Sequence, residues 1–174
     1  MKKILIIITS IIVIVLAGGY GFSLYTKSHS PEVDADFDKN GLKVHVDYCQ
    51  PSKKGREIFG GLEPYGEVWR TGANEATEIE FSKDVTIAGS ALKAGRYALF
   101  SIPNQDKWTI IFNNELGMWG AFNYKKENDV LRVDVPVVPR TDVLEKFTIS
   151  FQESESGADM SLEWDKTKVI VPIR

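Results

Sequence analysis

Hydrophobic and polar positions divide the chain into two unlike parts. The first is an uncharged run, ILIIITSIIVIVLAGGYGFSLY, over residues 4–25, preceded by Lys2 and Lys3. A helix needs about 20 apolar residues to cross a bilayer, so this run predicts a membrane-spanning helix. Lysines ahead of it and the bulk of the chain behind it favour an N-terminus held in the cytoplasm and a single-pass protein of the cell membrane. The alternative is a signal peptide, cleaved after Val15-Leu16-Ala17 to release a secreted domain. Against it, the apolar character continues through Tyr20, Phe22, Leu24 and Tyr25. Both readings put the rest of the chain outside the cytoplasm.

The second part has a period of two. Leu42, Val44, Val46 and Tyr48 alternate with Lys43, His45 and Asp47, and Phe147, Ile149 and Phe151 with Thr148 and Ser150. The same holds for Ile79 and Phe81, for Leu131 to Val137, for Met160 to Trp164 and for Val169 to Ile173. Such alternation marks strands with one buried face. RYALFSI (96–102) and WTIIFN (108–113) are more uniformly apolar and read as central strands joined in a hairpin. Turn signals at Pro103-Asn104, Asn113-Asn114, Ser156-Gly157 and Asp165-Lys166 separate the runs. Residues 114–128 hold one short helix or an extended loop. The pattern predicts an all-β, antiparallel sandwich, with a barrel as the other closed arrangement, over residues 41–174. Residues 26–40, TKSHSPEVDADFDKN, read as a polar stalk between membrane helix and domain.

Charge narrows the partners. With Lys2, Lys3 and Lys27 set aside, 18 basic side chains face 24 acidic ones. A basic stripe for nucleic acid is absent, and an anionic membrane surface suits such a domain poorly. The near absence of helical period removes parallel α/β folds and their dinucleotide sites, and nothing implies a cofactor. His29 and His45 lack spaced metal-binding partners and no EF-hand spacing exists, so no metal site is expected. Asp34, Asp36 and Asp38 read as a solvated tether. Cys49, the one cysteine, forms no internal disulfide and reads as a small strand residue. Serine-hydrolase signatures are missing.

The candidate chemistry lies in YGEVWRTGANEAT, residues 65–77. Arg70 offers a planar fork for a carboxylate, phosphate or sulfate. Asn74 bonds its own backbone or a ligand, and Glu75 is an acceptor or a base. In a structural reading Arg70 pairs with Glu75, Asn74 caps a turn and Trp69 plugs the core. In a binding reading Arg70, Asn74 and Glu75 line a pocket at the end of the sandwich. Trp119, set between glycines in GMWGAF, then stacks beside it, and Arg56 adds charge. The ligand would be small and polar, anionic or a glycan. An enzymatic alternative, a cell-envelope hydrolase, makes Glu75 the acid or base and Arg70 the clamp. It needs a second carboxylate, for which Glu67, Glu78 and Glu115 are equal candidates. A third reading is a structural envelope protein that meets partners through a sheet edge or an apolar patch.

Several stretches taken together carry a resemblance. GREIFGGLEPYGEVWRTGANEATEIEF (55–81), LKAGRYALFSIP (92–103), WTIIFN (108–113) and WGAFNYKKENDVLRV (119–133) resemble the domain-of-unknown-function 2911 family of bacterial exported proteins. The resemblance spans about residues 42–174 and implies a family without an established activity. It also implies Ser-Arg where this chain has Cys49-Gln50, so an arginine serving a site there would be missing.

Overall fold

The computed structural model describes residues 2–174. Helix α1 covers Lys2–His29, and nine strands follow: β1 (Glu32–Lys39), β2 (Leu42–Cys49), β3 (Ala73–Phe81), β4 (Val85–Ile87), β5 (Ser90–Leu92), β6 (Gly95–Ile102), β7 (Lys107–Asn113), β8 (Asp129–Ser154) and β9 (Gly157–Ile173). All pairings between these strands are antiparallel, in the order β1-β2-β3-β6-β7-β8-β9-β4-β5. The fold is an antiparallel β-sandwich behind one apolar helix.

Strand β8 makes one chain of pairings into two layers. Residues 129–136 pair with β7, and residues 137–154 pair with β9. Pro136 and Pro139 fall where the strand passes between partners, and the β9 register shifts after Pro139 and again after Leu144. Proline donates no ladder hydrogen bond, so it suits a place where pairing changes over. The far end of β8 then returns towards β1, where Phe37 meets Phe151 at 6.1 Å between ring centroids and Lys39 meets Glu153.

The expected alternation sets the core. Leu42, Val44, Val46 and Tyr48 of β2 are buried, as are Ile79 and Phe81 of β3 and Met160, Leu162 and Trp164 of β9. Five rings, Phe59, Trp69, Trp108, Phe147 and Trp164, fill the centre, with Phe59 and Trp108 at 4.8 Å and Trp69 and Phe147 at 4.9 Å. Mutual edge-on contacts of this kind add to the burial of large apolar surfaces.

One connection differs from the sequence expectation and a second takes the looser of its two expected forms. The segment expected to be a polar stalk is a strand, apart from its first residues, which finish α1. Val33, Ala35 and Phe37 turn inward against β2, and Asp34, Asp36 and Asp38 remain exposed. Asn40-Gly41 links β1 to β2, both residues at positive φ (54° and 72°), as a two-residue hairpin turn requires. Residues 114–128 are mainly an extended loop, ending in one short 3-10 turn at Lys126–Asn128. This loop covers a second small apolar cluster, Ala76, Ala98, Phe100, Ile111 and Met118, on the outer side of β3, β6 and β7.

Candidate functional site

The motif at 65–77 has a buried half and an open half. Trp69 exchanges both backbone hydrogen bonds with Ser101 of β6, at 2.8 and 2.9 Å. Its indole enters the ring cluster and donates to the Gly72 carbonyl at 3.0 Å. Thr71 stands at φ 56°, an uncommon state for a β-branched residue. Ser101 Oγ at 2.9 Å and a bond from Thr77 Oγ1 to the Thr71 carbonyl at 2.7 Å hold it there. The backbone after this corner runs beside the 114–128 loop. Ala76 N donates to the Met118 carbonyl and Gly120 N to the Asn74 carbonyl, with Glu75 opposite Trp119.

The open half meets the foot of α1. Asn74, also at positive φ, donates from Nδ2 to the Ser30 carbonyl at 3.3 Å. Lys27 Nζ lies 3.3 Å from Glu75 and 2.9 Å from Glu32. Phe22 contacts Trp119, with ring centroids 6.3 Å apart. The helix end is thereby seated on the motif.

Between these elements lies an open cleft of about 220 Å³. Carboxylates of Glu32, Asp47, Glu75 and Glu78 line it, with the cations Lys27 and Arg96, and Tyr48 and Cys49 complete its wall. Strand register explains the gathering. Asp47 of β2 pairs with Glu78 of β3, which pairs with Ala98 of β6, so Arg96 falls within reach of both acids on the same outward face. Arg96 reaches Asp47 at 2.5 Å and Glu78 at 2.6 Å, with Glu80 farther off at 3.6 Å. Glu78 also accepts from the Gly117 backbone N–H at 2.8 Å. Cys49 Sγ donates to Glu75 at 3.5 Å. Burial pushes the thiol's pKa up, which keeps it protonated and a poor nucleophile.

His45 continues this network along β2. Its Nδ1 lies 2.7 Å from Asp36 and its Nε2 3.0 Å from Asp47. The hydrogen bond to Asp36 leads the rise of its pKa above the usual histidine range, with Asp47 adding to it. Asp34, His45 and Asp47 each offer one donor atom within 4.8 Å of the others, the one grouping of metal-ligand type among the described residues. Both ring nitrogens already face carboxylates, and Arg96 holds the second oxygen of Asp47.

Of the five sequence-derived site residues, Asn74, Glu75 and Trp119 come together, and only Glu75 lines the cleft. Arg70 lies behind them. No ion pair joins it to Glu75 among the described residues. A Cβ added at Gly120 would sit 3.2 Å from Arg70 Nη1, and Arg70 Nε is buried without a hydrogen-bond partner. Its charge acts on Glu63, whose burial raises its pKa to about 7 against the pull of Arg70 and Arg56. Arg56 is bound to its own loop, donating to the carbonyls of Lys53 at 2.9 Å and Ser52 at 2.5 Å. Glu78 is one of the three carboxylates that the sequence left equal, and Asp47, Arg96, Lys27 and Glu32 carried no sequence signal of their own. The polar positions of the alternating strands marked the outward face, but their convergence depends on register.

Fold and site define a small β-sandwich with a polar cleft at the root of an apolar helix. Residues 30–173 match the family described as protein of unknown function (DUF2911), and the chain belongs to that family. The match begins ahead of β1, so β1 is part of the family's domain. No curated protein and no solved structure matches the chain significantly.

Proposed function

We propose that the protein is a membrane-anchored binding module, its domain held outside the cytoplasm and its ligand site in the cleft at the helix root. The supporting observation is that four carboxylates and two cations from α1, β1, β2, β3 and β6 converge on one opening. The acids outnumber the cations, so the cleft favours a small polar ligand that donates hydrogen bonds, such as an amine or the hydroxyls of a glycan, over an anion. Glu75 and Glu32 are the least committed of the cleft carboxylates, since they share the half-buried Lys27 and Glu75 adds only a weakly donating thiol.

A hydrolase using Glu75 and Arg70 finds less support. Arg70 does not line the cleft, and the second carboxylates beside Glu75 are tied to Arg96 and His45. General acid or base work needs a group free to take up or release a proton within reach of the substrate.

The test is a thermal-shift series on the full chain in detergent micelles, with amino sugars, neutral envelope sugars, polyamines and sugar phosphates. Binding to the folded state raises its melting temperature by mass action. The expected result is a shift by an amine or sugar that Glu75→Gln removes and Arg56→Ala keeps. No shift with any compound, or one indifferent to Glu75, would overturn the assignment.

A further inference from the structure

The loop at 114–125 carries apolar side chains that the domain does not cover. Leu116 is 43% exposed, Trp119 39% and Phe122 85%. The other three tryptophans are almost fully buried. Trp119 touches Phe22 on α1, and Phe122 lies against Gly120 one residue beyond it. The exposed patch therefore continues the apolar surface of the helix.

Helix geometry sets the level of this patch. At about 1.5 Å per residue, 20 residues from Ile4 span about 30 Å, the thickness of the hydrocarbon core, and end at Ser23. Phe22 lies inside that length, three residues before Tyr25. A helix that spans the membrane from Ile4 thus carries Phe22, and Trp119 beside it, to the outer edge of the acyl chains. Tyr20, Phe22 and Tyr25 of the helix are themselves exposed, and tryptophan and tyrosine gather at this boundary because their rings are apolar with one polar group. Lys27 and Asn74 fasten the foot of α1 to the domain at the same level. The loop cannot be lifted away from the bilayer without breaking those contacts.

We propose that Leu116, Trp119 and Phe122 insert into the outer membrane–water interface as a second contact beside α1, so that the domain lies down on the lipid and the cleft opens at its surface. The occupant is the bilayer holding the protein's own helix. Contact is apolar, as befits an acidic domain, and needs no anionic lipid. The proposal rests on α1 remaining in the membrane.

The test reconstitutes the full chain in phosphatidylcholine vesicles, with and without bromine on the acyl chains, and reads flotation and tryptophan emission separately. Flotation reports α1. Quenching by brominated chains reports Trp119, the one exposed tryptophan. The expected result is a floating protein whose emission is quenched, with the quenching lost in Trp119→Phe and reduced in Phe122→Ser while both variants still float. A protein that floats unquenched keeps its anchor and overturns the interfacial contact, leaving the patch to a second copy or another protein. A protein that does not float overturns both.

Discussion

Arg96 and Arg70 show two ways of treating the same charge. Arg96 stands on a strand, more than a third exposed, and reaches three carboxylates. Arg70 stands in a corner, partly buried, with its Nε unpartnered and its charge acting on Glu63. Register supplies partners to Arg96 from β2 and β3. The corner supplies Arg70 with few, because its backbone is committed to seating Trp69 and Thr71. A fully engaged charge fixes local geometry. A poorly engaged one leaves part of its interaction energy unused, and that reserve can be exposed by mutation.

The largest expected effect tests the corner itself. Trp69→Ala should destabilise the domain by about 3–5 kcal/mol, the range for losing a buried aromatic, measured by denaturant unfolding. A loss under about 1 kcal/mol would mean that Trp69 does not organise the corner.

Glu63 gives the next effect, through pH. Folding raises its proton affinity, so the stability from that proton is complete below about pH 4.5 and lost as pH rises through about 7. Glu63→Gln should flatten this fall and exceed wild type in relative stability at pH 8, by on the order of 2 kcal/mol. Denaturant unfolding at pH 4.5 and 8 measures it. An unchanged pH dependence would remove Glu63 from the account.

Arg70→Met sharpens the contrast. Arg70 lowers the Glu63 pKa, so its loss should move the fall in stability to higher pH. Stability at pH 4.5 should change by less than about 1 kcal/mol, because the guanidinium has few bonds to lose. Arg96→Met should leave the Glu63 profile where it is.

The smallest expected effect is at the cleft mouth. Lys27 and Glu75 form a partly exposed pair, and Glu75→Gln should cost no more than about 1 kcal/mol. The informative readout is ligand-induced stabilisation, which should vanish while the melting temperature of the free protein stays nearly constant. Loss of folding instead would make Glu75 a structural residue.

Much of the fold was legible because alternation is a local property. The β2, β3, β8 and β9 cores follow from it, and Trp108 and Trp164 lie where their strands place them. β1 was obscured by its own polar face. Val33, Ala35 and Phe37 alternate as the other strands do, but three aspartates between them resemble a solvated tether. Misreading β1 hid one partner of His45, since Asp36 comes alongside it only when β1 pairs with β2. Of the candidate site residues, Asn74, Glu75 and Trp119 are brought together by the pairing of the start of β3 with the 114–128 loop. Lys27 carried no signal, because it lies in the segment read as a polar stalk, whose first residues in fact continue α1. Nor did the spacing of Arg70 and Glu75 reveal that the turn between them carries their side chains to different surroundings.

Placing β1 at the rim of the sheet also bears on crowding. A free strand edge invites the strand of another molecule to join it, and copies sharing a membrane through α1 would be confined to two dimensions, where encounters are frequent. Asp34, Asp36 and Asp38 line this rim at every second position. A neighbouring copy presenting the same edge would bring like charges together, so strand-to-strand aggregation is opposed where it would begin.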